Sequence, residues 1–513
     1  MNGIFLTQSG SLRVFYELMK AVREPLQLGK IGLYVADHTF YSAFRQQCPD
    51  IERGDFRLAK EWEITAQVER ERPDLNLIRR YERDLGVPSL WGALVADRRI
   101  YLGKRCSFRQ DYRPRFSHTQ MLTVLERGLL EMERLFDEVQ PDFVISFVCV
   151  TFGEYLAYLF ARSRGIAFLN LRPTRIRNYV TYGSSIFEPS ERIRTAYHRY
   201  LSDRPEDEWM QGAREYLASV ETGHAMYEGV LVPTGARPPR ASRRKPWRVA
   251  KLLWKECAFR LGKTRDNHNP GVLVPLLYKR FLNPLQAWWN DRRLSGGHVT
   301  ESELRSLDYV FFPLHTEPEV TLLVYSKPYL NQIEVIRNVS HSLPVGMKLV
   351  VKEHPASVGK RPLSYYRKIL EIPNVRLAAP RLSSRALVSN ARLVATIAGS
   401  IGWEAILRRR PVVLFGHAPY EFLPPSMLRR VGHLEHLGDE IKDLLQSYCY
   451  QDNAVLAYVA ATMSQSIAVN WYSRLLGRAG AYAEEPLIGG DETDFECDIS
   501  ALARYTVDSL RCR

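Results

Sequence analysis

The sequence predicts an α/β protein made of two Rossmann-like units that face a cleft. Three observations predict it. Short apolar runs alternate with helical patterns through residue 171, the alternation returns more cleanly from 308 to 415, and a polar, basic stretch separates the two. The length of 513 residues agrees, because it exceeds one compact core and suits two.

The first unit, 1–190, shows strand patterns at 3–7, 30–35, 142–147 and 166–171. Helical patterns fall at 12–22, 38–47, 119–139 and 153–164. Residues 51–115 are charged and give no clear period. The stretch 191–300 reads as a helical, basic insert or linker, helical at 191–200 and 206–228, with loop composition at 233–246. Within 237–265 stand 11 Lys/Arg against one acid, Glu256. A helical pattern over 247–261 puts Arg248, Lys251 and Lys255 on one stripe and Trp254, Cys257, Ala258 and Leu261 on another. Such a helix suits an anionic membrane surface or a solvated interdomain insert, and both readings stay open.

The second unit, 301–425, has strands at 308–314, 347–352, 375–378, 393–397 and 411–415. Helices at 328–341, 363–370, 383–389 and 402–407 connect them. Right-handed crossovers bring the strand C-terminal ends to one edge, where such sheets bind ligands. Residues 426–513 read as a helical segment, with one helix at 454–471, that packs back on both units.

A net charge of +14 implies an anionic partner. Nucleic acid fits poorly, since the basic residues concentrate in one insert rather than on a platform interleaved with aromatics. Seven scattered cysteines without a CxxC suggest neither disulfides nor a metal site. The N-terminus does not read as a signal peptide, and no apolar run approaches 20 residues. A cytoplasmic protein is expected, with peripheral contact on the inner membrane face through 237–265 as one option.

Four segments end strands on the ligand edge of the second unit. The first is 396–405, TIAGSIGWEA: Gly399 and Gly402 permit close backbone approach, Ser400 opens a helix whose first amides suit a phosphate, and Glu404 suits a ribose. The plain alternative is a strand–helix turn with an acid complementing the dipole. The second is Lys352-Glu353-His354-Pro355, where a cation and an imidazole suit a diphosphate or phosphodiester. The third, 312–319, offers His315 and Thr316 for phosphate or sugar, and Glu317 and Glu319 for donor hydroxyls. The fourth, 416–420, can close over a donor or be an ordinary loop.

KEHP followed by TIAGSIGWEAILRRRPVVLFGHAPY resembles the C-terminal half of bacterial capsule polysaccharide synthesis glycosyltransferases, a group that includes Kdo transferases. The resemblance spans roughly 308–425. It implies a GT-B fold, a nucleotide-sugar donor, CMP-Kdo or a UDP-sugar, and a surface glycan or lipid-linked acceptor, with no cofactor. His354, Ser400 and the neighbouring amides would meet donor phosphate, and Glu404 the ribose. Trp403 and Arg408-Arg409-Arg410 depart from the pattern. On the other unit, Glu154 is a candidate base, with an acid complementing the start of its own helix as the plainer reading, and His315 is a second catalytic candidate across the cleft. Arg172, Arg175, Ser9 and Ser11 are candidate acceptor contacts. Competing readings are a two-Rossmann sugar-nucleotide epimerase and a non-catalytic nucleotide- or glycan-binding subunit of an export complex.

Overall fold

A computed structural model describes residues 1–53, 56–68, 72–187, 189–223, 226–229, 254, 256–257, 271, 273–477 and 492–511. The first unit contributes β1 (Gly3–Thr7), β2 (Ile31–Val35), β3 (Phe56–Lys60), β4 (Phe143–Phe147), β5 (Ala167–Pro173) and β6 (Tyr179–Gly183). The second contributes β7 (His298–Val299), β8 (Tyr309–Pro313), β9 (Lys348–Lys352), β10 (Val375–Ala378), β11 (Leu393–Thr396), β12 (Val412–Leu414) and β13 (Leu428–Arg430). A last short strand, β14 (Ile467–Ala468), returns to the first sheet.

The sheet orders are β14-β6-β5-β4-β1-β2-β3 and β13-β12-β11-β8-β9-β10-β7. The second sheet is parallel throughout, and the first is parallel from β3 to β5. These are the two Rossmann-like sheets that the alternating pattern predicts. In the first, Ile4 and Leu6 belong to one buried cluster and Phe5 to another. Such two-sided burial is why these strands read as unbroken apolar runs.

Helices His118–Val139 and Phe152–Ser163 cover one face of the first sheet. Ser11–Arg23 and the C-terminal helix Glu492–Arg511 lie together on the other. Two helix starts follow from local chemistry: Ser117 with Gln120, and Thr151 with Glu154, form reciprocal capping boxes. Helices Glu191–Asp203 and Glu208–Glu221 pack on Asp452–Ser464 beside the second unit. The C-terminal segment therefore touches both sheets.

The unclear stretch 51–115 holds β3 and the helices Glu61–Ile64, Leu75–Asp84, Trp91–Ala96 and Arg98–Tyr101. The helix expected to run to 471 stops at Ser464, because the chain then extends to pair β14 with β6. Tyr329 ends a 3₁₀ turn, and the helix expected from 328 begins at Gln332. The basic helix expected at 247–261 lies, apart from 254 and 256–257, outside the described residues.

Candidate functional site

The exits of β8, β9, β11 and β12 meet at one edge of the second sheet and are tied together by side chains. Gly399 leaves β11 with φ +95° and ψ −166°, a conformation that side chains disfavour. The helix Ser400–Leu407 then starts without a side-chain cap, so its first amides retain their capacity for an anion. Tyr420, fully buried, donates to Gly399 O at 2.6 Å and fixes the turn from the β12 side. His315 Nε2 lies 2.6 Å from Ala398 O and fixes it from the β8 side.

His354 stands at the β9 exit. Its Nδ1 accepts the Ala356 N–H at 3.1 Å and lies 2.9 Å from Thr316 Oγ1, a hydroxyl that can donate to it. Burial, with neighbouring cationic groups, pushes the ring down to about 4, so it is neutral near pH 7. With Nδ1 accepting, the single ring proton resides on Nε2, which is then a hydrogen-bond donor.

Lys352 is buried, donates to Ser384 Oγ at 3.1 Å, and is pushed down by burial against the opposing pull of Glu353 and Glu404. Glu404 is half-buried and accepts from Arg408 Nε at 3.2 Å. It also borders a cavity of about 550 Å³ between Ser400–Leu407 and Glu208–Glu221, with Leu217, Leu407, Arg410 and Tyr450 in the wall. That cavity lies toward the far end of the helix from Ser400.

Several expected contacts are corrected by this geometry. His315 is buried and its Nε2 is engaged by the Ala398 turn, so it positions Gly399. Glu317 is engaged by Arg361 and Gln332 on one oxygen and by Gln110 and Tyr112 of the first unit on the other. It joins the two units and is not available to a sugar. Gly402 is buried, and a Cβ there would sit 2.3 Å from Tyr420 Oη; it makes room for the tyrosine rather than for a ligand.

On the first unit, Glu154 has no exposed surface. Its carboxylate accepts from Val150 N, Thr151 N, Thr151 Oγ1 and Gln8 Nε2 at 2.9–3.0 Å. Burial pushes it up to about 8. It serves as a helix cap, not as a base open to an acceptor. Ser11 turns inward onto Gln8, and the Arg172 guanidinium is occupied by the carbonyls of Phe187 and Ser185. Ser9 is exposed at the β1 exit. Arg175 lies over the Tyr227 ring, and its charge reaches Glu319 and Tyr420 of the second unit.

Glu319 is exposed just after the β8 exit. Desolvation raises its carboxyl and Arg175 opposes the rise. Arg361 escaped sequence reasoning. It is buried, pairs with Glu353 and Glu317, and donates to His315 O at 2.6 Å, so it holds two strand exits at once. A lone arginine after KEHP carries no local signal of that role. The departure at Trp403 also finds its reason: the buried indole donates to Tyr216 Oη at 3.2 Å and meets Tyr458 at 5.0 Å, where the insert and C-terminal helices pack.

Residues 276–424 match the family described as "Capsule polysaccharide biosynthesis protein". A curated relative, Protein FixF of Sinorhizobium fredii, is 30% identical over 119 residues, covering 22% of this chain and 27% of that protein. The chain thus matches about a quarter of that relative's length. Among solved structures, the Thermosulfurimonas dismutans KpsC beta Kdo 2,7 transferase aligns at 14% identity and TM-score 0.32, covering 64% of this chain and 80% of that one. The UDP-GlcNAc 2-epimerase of Methanocaldococcus jannaschii aligns at 12% and 0.23, covering 88% and 95%. At such scores neither activity transfers to this chain. Over residues 276–424, the part that carries KEHP and the Gly399 turn, the chain carries the pattern of the capsule polysaccharide biosynthesis protein family.

Proposed function

We propose that this protein is a glycosyltransferase of surface-polysaccharide synthesis that binds a nucleotide-sugar at the strand-end edge of its second unit. The observation that carries the reading is the pairing of two donors on one rigid edge: the Nε2–H of a neutral His354 and the uncapped amides at Ser400. Both suit the phosphate of a departing nucleotide, whose charge grows as the sugar leaves. Glu404 suits the ribose, and Lys352 adds positive potential behind the phosphate.

Glu319, exposed after the β8 exit and within reach of the Arg175 charge, is the carboxylate we assign as base. In the step proposed, the acceptor hydroxyl gives its proton to Glu319 while its oxygen bonds to the anomeric carbon. The bond from that carbon to the nucleotide phosphate breaks. Arg175 and Ser9 are the acceptor-side contacts. The donor class is CMP-Kdo or a UDP-sugar, and the acceptor a growing glycan or a lipid-linked one. A cytoplasmic location with peripheral membrane contact, including the basic stretch 237–265, fits that acceptor.

Incubation with CMP-, UDP- and GDP-sugars and a candidate acceptor, read by mass spectrometry, tests this. Glycosylated product is expected. His354→Ala and Glu404→Ala should each lower turnover by about 10²-fold or more, with unchanged circular dichroism. Full activity in both variants would sink the donor site. Isomerised sugar nucleotide without acceptor would make the protein an epimerase, and nucleotide binding without turnover a binding subunit.

A further inference from the structure

Residues Leu273–Leu277, Tyr278–Leu282 and Asn283–Leu294 form one continuous helix with a π-helical middle turn. Pro284 accounts for the wider turn, since it has no N–H to offer and crowds the carbonyl four residues back. One face of this helix is anchored to both units. Tyr278 stacks on Phe108 with ring centres 6.0 Å apart, and Asn283 donates to Phe108 O at 3.0 Å. Gln286 and Asn290 donate to Arg361 O at 3.1 and 3.0 Å. The helix therefore lies against the loop that holds the donor edge.

The opposite face is apolar and, among the described residues, uncovered. Phe281 and Leu285 are each 61% exposed, Trp288 56% and Trp289 44%, with Leu277 and Leu282 beside them. Their spacing of three to four residues makes a continuous stripe. Single exposed apolar residues are ordinary on soluble proteins, but a stripe of two tryptophans, a phenylalanine and three leucines marks a surface that meets something.

Charge identifies what it meets. Lys279, Arg280, Arg292 and Arg293 flank the stripe, and Asp291 is the single acid of the helix. Arg293 lies 4.6 Å from the centre of the Trp289 ring and Arg292 5.9 Å from that of Trp288. The chain just before, 237–265, adds 11 Lys/Arg against one acid. Indole and phenyl rings framed by cations suit the boundary between acyl chains and anionic headgroups. Among the described residues no helix is long and apolar enough to cross a membrane, so the contact is one of lying on the surface.

We propose that the exposed face of 273–294 docks on anionic phospholipid membranes and lays the cleft region against the bilayer. The docking deepens the peripheral membrane contact proposed above by naming its surface, and it does not depend on the donor-site reading.

The full chain is sedimented with vesicles of phosphatidylcholine, alone or mixed with phosphatidylglycerol. Binding to the mixed vesicles is expected, with at least a roughly tenfold preference over phosphatidylcholine that falls as salt rises. F281E/W288E should lose roughly tenfold or more in affinity while keeping its circular dichroism. Should that variant misfold, W288F/W289F gives a second reading. Brominated acyl chains should quench tryptophan emission in the native protein and much less in that variant. No sedimentation with anionic vesicles, unchanged binding in a folded F281E/W288E, or equal quenching in W288F/W289F overturns the proposal. Self-association through the stripe without vesicle binding also overturns it, and assigns the face to a second copy of the chain.

Discussion

The two sheets share the doubly wound order, yet their C-terminal edges are built for opposite ends. At the first, polar groups satisfy one another. Gln8 reaches across to Val148 O and Glu154, and Glu154 is consumed by its capping box. Beside it Arg99 lies between Asp97 and Glu61, and Tyr34 donates to Glu61 at 2.8 Å. At the second, an equally tight frame leaves a ring N–H and a helix N-terminus with capacity to spare. A strand-end edge suits binding when rigidity is combined with unspent donors; at the first edge the Thr151 capping box consumes those of Phe152–Ser163, whereas Ser400–Leu407 has no such cap.

The largest effect that probes this contrast is removal of each edge's central arginine. Arg361→Ala leaves Glu353 and Glu317 without their cation, and Arg99→Ala does the same to Asp97 and Glu61. Each should cost about 3–5 kcal/mol in urea unfolding. Nucleotide affinity by calorimetry should fall in folded Arg361→Ala and persist in folded Arg99→Ala. Equal loss in both would erase the distinction between the edges.

The edges should also respond oppositely to pH. Glu154, raised from 4.5 to about 8, binds more protons folded than unfolded, so its stabilisation is full below 4.5 and is lost as pH rises toward 8. His315 and His354, each lowered from 6.5 to about 4, bind fewer protons when folded, so their contribution is full above 6.5 and is lost as pH falls toward 4. Inside each window the slope is on the order of 1 kcal/mol per pH unit. Glu154→Gln, which keeps a capping-box side chain, should flatten the decline from pH 5 to 8. An unchanged decline would remove Glu154 as its source.

Two glycines give smaller effects. Gly402→Ala should cost about 1–3 kcal/mol by pushing Tyr420 off Gly399 O, and should weaken nucleotide binding. Gly10 sits at the matching strand–helix turn of the first unit with φ −66°, and the nearest atom to an added Cβ is 3.9 Å away. Gly10→Ala should stay within about 0.5 kcal/mol. A large loss there would mean the first edge is as tightly fitted as the second.

Much of this was legible without coordinates. β1, β8, β9, β11 and β12 are buried on both faces and so appear as apolar runs of strand length. Each of the four candidate segments follows such a run, which is why they were found and why they meet. β7, β13 and β14, of two or three residues, are too short to show a period, and their pairing depends on neighbours already in place.

The sequence by itself determined the two α/β units, the basic stretch between them, and which residues leave the strands at the ligand edge. These follow from periodicity and from chain direction, both local properties. Only the tertiary structure decided which of those residues face outward. Glu317 meets Gln110 some two hundred residues away, His315 turns onto Ala398, and Tyr420 reaches back to Gly399. A polar side chain takes the best partner that folding brings within reach, and that partner is written nowhere in its own neighbourhood.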